Sequence, residues 1–140
     1  MPRSEKKPRR LVVEGEVFLW SVGHTHRVPA GGGFEDCCEV LAVRRLQARG
    51  RLRILFRGGA GRLVPDGFLH SGAVGTTEGG DFLNLHEPGT ARALLDAAMA
   101  QGWQADDPSE RELDGWVFFE AVAARSRTRD SLARSERDRE

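Results

Sequence analysis

The stretch CEVLAVRRLQARGRLRILFR, residues 38–57, predicts two adjacent antiparallel strands. The residues Ala-Arg-Gly at 48–50 form a short glycine-containing loop between two apolar runs, which is the pattern of a β-hairpin. In the second run Leu52, Ile54 and Phe56 alternate with other residues, so a period of two places these apolar side chains on one face. The opposite face would carry Arg51, Arg53 and Arg57.

Further strands are predicted on both sides of this hairpin. The segment LVVEGEVFLWSV places a glycine turn between strands at about 10–14 and 16–23. After residue 57, glycine-rich segments separate short extended pieces, of which FLNL at 82–85 is the last. This pattern indicates an antiparallel meander of about five or six strands.

One helix is predicted over residues 88–101. Pro88 suits the first helical position, and apolar residues follow at helical spacing, namely Ala91, Leu94, Leu95 and Ala98. Gly102 suits the left-handed residue that ends a helix, and Trp103 is placed to fold back onto the last turn. The predicted fold class is therefore α+β, with this helix packed on one face of the sheet.

The C-terminal region allows two interpretations. The acidic segment 104–114 indicates a linker. In GWVFFEAVAARSR, which begins at residue 115, alternation favours an edge strand, whereas Asp114 as N-cap and the later alanines favour a helix, which we prefer. Residues 1–9 and 125–140 are charged without an apolar stripe, so we expect disordered tails around a single domain at 10–124.

The composition fits one globular domain, because the 140 residues are 39% hydrophobic and 30% charged. The apolar runs are shorter than the roughly 20 residues that cross a bilayer, and the basic N-terminus lacks an apolar signal segment. We therefore expect a cytoplasmic protein without a membrane span. The chain has only two cysteines, Cys37 and Cys38, and their adjacency argues against a disulfide framework.

The helix that begins at Pro88 and ends at Gly102 and Trp103, followed by an Asp-Asp-Pro linker, resembles part of a group of small α+β proteins from GC-rich bacteria. The resemblance rests on those residues together with Leu94, Leu95 and Pro108, and it covers about a third of the chain. It implies an accessory or immunity-like role. It brings no known activity and assigns no role to any residue.

A metal site is one hypothesis for the segment GHTHRVPAGGGFEDCC, residues 23–38. His24 and His26 are two residues apart and would share one face of a strand, and Cys37 follows a glycine-rich loop. Adjacent cysteines, however, project in opposite directions, and no Cys-x-x-Cys pair is present. A strand end followed by a small cysteine packed in the next strand is the simpler interpretation, so we expect no cofactor.

Catalytic signatures are absent from the sequence: it contains no Gly-x-Ser-x-Gly, His-Glu-x-x-His or phosphate-loop pattern. His70-Ser71 and His86-Glu87 flank one glycine-rich segment, where they are placed to meet as base and orienter. The loop FRGGAGR at 56–62 has the glycines of an anion-binding nest but opens no helix. A wide turn between strands is the simpler interpretation of that loop.

The arginines at 51, 53 and 57, on the outer face of the second strand of the hairpin, predict a binding surface. Together with Arg45 or Arg44 on the paired strand and the basic N-terminal tail, they would form a positive patch for an acidic partner or for phosphates. The neutral total charge and the lack of aromatic residues among the arginines weigh against nucleic acid. The aromatic residues would form the core or, if exposed near residue 116, an apolar patch for a partner. The residues expected at an interface are Arg45, Arg51, Arg53, Arg57, Trp116 and Phe118.

The predicted function is therefore a non-enzymatic module that binds another protein or a second copy of itself, in an accessory, regulatory or immunity-like role. Two alternatives remain. One is a nucleic-acid-associated accessory protein that uses the basic tail and the arginines. The other is a small enzyme or ligand-binding protein that uses the glycine-rich loops near His70 and His86.

Overall fold

The computed structural model describes residues 8–27, 30–32, 35–65 and 71–138, and these form eight strands and two helices. Strands β1, β2, β3, β4 and β8 form a mixed five-stranded sheet in that order, and β5, β6 and β7 form a small antiparallel sheet. The predicted α+β class is confirmed. The elements are β1 (Arg9–Val13), β2 (Glu16–Arg27), β3 (Glu35–Arg45), β4 (Arg51–Arg57), β5 (Arg62–Leu63), β6 (Ala73–Thr76), β7 (Phe82–Asn84), α1 (Pro88–Ala100), β8 (Glu110–Asp114) and α2 (Trp116–Asp138).

The hairpin of β3 and β4 lies at the centre of the large sheet. The two strands are antiparallel, with Cys38 opposite Arg57 and Val43 opposite Leu52. Leu52, Ile54 and Phe56 are at most 1% exposed and belong to the main hydrophobic core. The predicted alternation in β4 is confirmed, and it fixes which face of the sheet is buried.

The first hairpin is also present, with a turn at Glu14 and Gly15. Strand β2 extends to residue 27, four residues beyond the prediction, and pairs with β3 as far as residue 35. The extension carries His24 and His26 to the end of the sheet, beyond the buried run of Phe18, Trp20 and Val22.

Helix α1 begins at Pro88 as predicted and ends at Ala100, one residue before the predicted end. The amide of Gly102, at φ +103°, donates to the carbonyl of Met99, and the amide of Trp103 donates to that of Ala98. These two bonds form the Schellman motif, with Trp103 buried against the core. Leu94 and Leu95 are fully buried, so the apolar stripe of the helix covers the sheet as predicted.

The acidic linker predicted before residue 115 is in part a strand, β8, which runs parallel to β4. Of its five side chains only Leu113 is partly buried, because β8 lies at the edge of the sheet. A strand without apolar alternation is stabilised by its backbone pairing with the neighbouring strand. The sequence pattern therefore does not reveal such a strand. The sheet is therefore mixed, a correction to the predicted antiparallel meander.

The segment after Gly115 is helical, as preferred over an edge strand. Asp114 accepts a hydrogen bond from the amide of Trp116 at 3.0 Å, and α2 continues to Asp138 through the charged region predicted to be a tail. Arg125 and Arg127 form ion pairs with Asp96 and Asp81, which join the middle of α2 to the domain. Among the described residues, neither helix combines the length and apolarity that crossing a bilayer requires.

Gly115 joins β8 to α2 at a point where the chain approaches the core closely. A Cβ atom there would lie 2.5 Å from the ring of Phe56, and the Gly115 amide donates to the carbonyl of Leu55. We expect Gly115→Ala to lower the free energy of unfolding by about 1–3 kcal/mol, because the buried ring must shift. Urea titration followed by tryptophan fluorescence measures this change.

Gly23→Ala is the matched control, because a Cβ atom at this position of β2 meets no atom within 4 Å. This variant should unfold at the same urea concentration as the parent protein or at a slightly higher one, because alanine restricts the unfolded chain more than glycine does. A Gly115→Ala variant as stable as the Gly23→Ala control would contradict the close approach of the backbone to Phe56.

Candidate functional site

Arginines of three strands lie on the side of the five-stranded sheet opposite the helices, among them Arg10 of β1, which is in register with Leu19. We call the surface of β3 and β4 on this side the arginine face, and it carries Arg44, Arg51, Arg53 and Arg57. Strand β4 positions three of them, because its alternate residues point into the core that both helices cover. Cys38, Val40 and Leu55 form a separate small apolar cluster on the same side. The arginine face therefore combines charge with an apolar floor.

Arg45 is not part of the arginine face. It pairs in register with the core residue Phe18, so its side chain belongs to the helix-covered side of the sheet. There it forms ion pairs with Glu16 and Asp106. Of the two residues offered by the sequence, Arg44 is the one that shares a face with the arginines of β4.

The charges on the arginine face are unevenly compensated. Arg53 donates to Glu112 at 2.6 Å and lies 3.7 Å from Glu110, both on the neighbouring strand β8. Arg44, Arg51 and Arg57 have no carboxylate within ion-pair distance among the residues that the structure describes. Like charges on neighbouring strands destabilise a sheet, so this surface favours an anionic partner.

Two concavities lie on the arginine face, on either side of Arg53. The first, of about 400 Å³, is lined by Leu19 and Ala42 with Arg44 and Arg51 beside them. The second, of about 370 Å³, is lined by Leu55, Cys38 and Arg57. Their volumes are in the range of ligand-binding clefts, and each combines apolar lining with guanidinium groups.

The aromatic residues expected either in the core or at a partner surface are in the core. Trp116 and Phe118 are 9% and 6% exposed, and the Trp116 indole donates to the carbonyl of Arg57 at 2.8 Å. The exposed residue of this run is Val117. These two aromatic side chains are therefore not available as a surface patch, because the first turn of α2 faces the sheet.

Glu39 is a buried charged residue that the sequence analysis missed. It lies in the helix-facing register of β3 and is 0% exposed. Its Oε1 accepts a hydrogen bond from His24 Nδ1, and its Oε2 accepts the amide of Gly72 at 2.8 Å. Both carboxylate oxygens are satisfied, as a buried charge requires, and they join β2 and β3 to the small sheet. The only sequence signal was a single acid inside the apolar run of β3.

The metal candidates lie at the end of β2. The rings of His24 and His26 are 5.3 Å apart between centroids, and Cys37 is buried in β3. Within the described ranges, no group of three or more His, Cys, Asp or Glu side chains is arranged to hold a metal ion. His24 is hydrogen-bonded to Glu39 through Nδ1, so a metal ion would have to bind this ring through Nε2.

Ser71 and His86 meet in space, as their positions around one glycine-rich segment suggested. Ser71 Oγ lies 3.0 Å from His86 Nε2. The other candidate in this region, His70, lies outside the described residues. The loop at 56–62 leads from β4 into β5 without opening a helix, and Arg62 stacks over the ring of Trp116.

Burial raises the pKa of the Cys38 thiol, against the lowering effects of the nearby Arg57 guanidinium and of hydrogen bonds. The protonated thiol is thus favoured in the folded protein at neutral pH, and that stabilisation is lost as the pH rises through the raised pKa. Because the thiolate is the reactive form, we expect the Cys38 thiol, which lines the second concavity, to react slowly in the folded protein.

Comparisons of this chain with protein-family models, with curated proteins and with solved structures find no match.

We expect Glu39→Ala to lower the free energy of unfolding by about 2–4 kcal/mol, because it leaves the buried Gly72 amide without an acceptor and His24 without its partner. Urea titration measures the change. Glu112→Ala is the control, since it removes an exposed strand glutamate that pairs with Arg53, and its cost should stay below about 1 kcal/mol. Equal losses in the two variants would contradict the role of Glu39.

We expect Cys38 to react with iodoacetamide at pH 8 at least about tenfold more slowly in the folded protein than in 6 M urea, because its burial suppresses both access and thiolate formation. A Cys37→Ala background assigns the signal to Cys38, and mass spectrometry follows the adduct. Equal rates in buffer and in urea would show that the thiol is exposed.

Proposed function

We propose that the protein is a binding module that holds an acidic segment of another protein on the arginine face. The observation that carries this proposal is the placement of Arg44 and Arg51. They lie one position beyond the register pair Val43 and Leu52, at the same end of neighbouring strands and without a carboxylate partner among the described residues. A carboxylate bound between the two guanidinium groups would relieve their repulsion.

The apolar floor beside these arginines favours a protein segment as the ligand. Leu19 and Ala42 are half-buried within the first concavity, so they offer contact area for aliphatic side chains. An extended segment that alternates acidic and apolar residues would direct its carboxylates to the arginines. Its apolar side chains would then cover the floor.

The same surface disfavours a nucleic acid. Glu110 and Glu112 line the concavities on either side of Arg53 and pair with it, so the arginine face offers separated cationic positions and no continuous positive groove for a phosphate backbone. Trp20 borders the first concavity but is 1% exposed, and no described Trp, Phe or His side chain lines the second, so neither offers a ring for base stacking. The neutral charge of the whole chain gives no general attraction to polyanions.

The test uses a fluorescent peptide of about 12 residues in which glutamate alternates with valine or leucine. We expect it to bind, and we expect Arg51→Glu to weaken its affinity at least about tenfold, because the substitution replaces attraction by repulsion at the groove. Arg111→Glu is the matched control, since Arg111 is an exposed residue of β8 in register with the core residue Leu52, on the other face. Fluorescence anisotropy at low and high salt gives the affinities.

Two further probes complete this experiment. A peptide of the same composition with its glutamates in one block should bind more weakly, because it cannot place acids and apolar side chains in alternation. A single-stranded DNA of matched charge should bind no better than this block peptide. Tight DNA binding that Arg51→Glu abolishes would instead establish a nucleic-acid accessory protein, and absence of peptide binding would overturn the proposal.

A further inference from the structure

On the other side of the large sheet, a serine and a histidine 15 residues apart in the sequence form a hydrogen-bonded pair. Ser71 lies in the turn before β6, and His86 lies in the turn between β7 and α1. Their Oγ and Nε2 atoms are 3.0 Å apart. Ser71 is exposed, whereas His86 is half-buried, so the hydroxyl group is open to solvent and the imidazole is held by its surroundings.

The backbone next to Ser71 is shaped to receive the imidazole ring. Gly72 has a φ of +83°, and a Cβ atom there would lie 2.5 Å from Cδ2 of His86 and 3.0 Å from its Nε2. Only glycine combines this left-handed conformation with so close an approach of the ring. The amide of Leu85, directly before His86, donates to the carbonyl of Gly72 at 2.9 Å.

The backbone amides of Gly72, next to Ser71, and of His86 are also held from outside the pair. The amide of Gly72 is held by the fully buried Glu39 at 2.8 Å, and the amide of His86 donates to Oδ1 of Asn84 at 3.0 Å. The backbone on either side of the Ser71 and His86 contact is therefore anchored by hydrogen bonds. A serine hydroxyl group within hydrogen-bond distance of an imidazole is the nucleophile and base contact through which a hydroxyl group is activated.

We propose that Ser71 is a nucleophile and His86 its general base, in a site that hydrolyses carboxylic esters. The Ser71 hydroxyl donates to the lone pair on His86 Nε2, and its oxygen attacks the ester carbonyl as that proton passes to the imidazole. The carbon–oxygen bond to the alcohol then breaks, and the leaving alcohol takes the proton from Nε2. A water molecule, deprotonated by the same imidazole, attacks the acyl group on Ser71. This releases the carboxylic acid and restores the hydroxyl group.

This site is separate from the arginine face. Glu39, which anchors Gly72, belongs to the register of β3 that faces away from the arginines of β4. Loss of the Ser71 site would therefore leave peptide binding at the arginine face unchanged, and loss of peptide binding would leave the Ser71 site intact. The two proposals succeed or fail independently.

The test is covalent labelling of the full chain by a fluorophosphonate probe, which reacts with activated serines. We expect one label on the tryptic peptide that contains Ser71, at least tenfold faster in buffer than in 6 M urea, and hydrolysis of p-nitrophenyl acetate at a rate that the label abolishes. Ser71→Ala should remove both signals. Ser109→Ala should change neither, because the Ser109 hydroxyl bonds to Asp107 and not to a histidine.

His86→Gln tests the role of the base and should slow labelling at Ser71 by a factor of about 100, the scale of general-base assistance. Because His86 packs against Gly72, the melting temperature of this variant is measured alongside. The proposal is overturned if Ser71 of the parent protein is labelled no faster in buffer than in urea. This outcome does not depend on how stable the variant is. An unchanged labelling rate in a folded His86→Gln protein overturns it as well.

Discussion

The structure depends on one constraint, the period of two in strand β4. Leu52, Ile54 and Phe56 fill the core under both helices, so the intervening positions must emerge on the opposite side. A slip of one residue in the pairing with β3 would bury arginines and expose three of the largest apolar side chains. The helix-covered side and the charged side of this domain are thus two consequences of one strand.

The elements that the sequence predicted are those with local signals. The hairpin loops and the proline and glycine at the ends of α1 act over a few residues, and the structure contains each of them. The order of the strands beyond β4 depends on distant pairing. Strand β8 is stabilised by the backbone of β4, although its own side chains are mostly charged, so no periodicity marked it as a strand.

The candidate sites also divide into features with a local sequence signal and features that depend on distant contacts. Strand β3 is apolar on both sides, with Val40 and Leu41 each buried on a different face. The sequence therefore carried no period of two from which to choose between Arg44 and Arg45. The contacts of Glu39 join residues 15 and 33 positions away, and the partners of a buried carboxylate at such separations become visible only in the fold. Ser71 and His86 were found because both lie at turns around one segment.

The parallel pairing of β4 with β8 has a consequence for the order in which the domain forms. Strands β1 to β4 join through short connections, whereas the pair Arg53 and Glu112 lies 59 residues apart and closes only after the small sheet and α1 have been made. During synthesis the central arginines therefore leave the ribosome well before the carboxylates that compensate one of them. An incomplete chain is therefore more basic on the arginine face than the finished protein. When β8 joins the sheet, its glutamates lower the positive charge of that face.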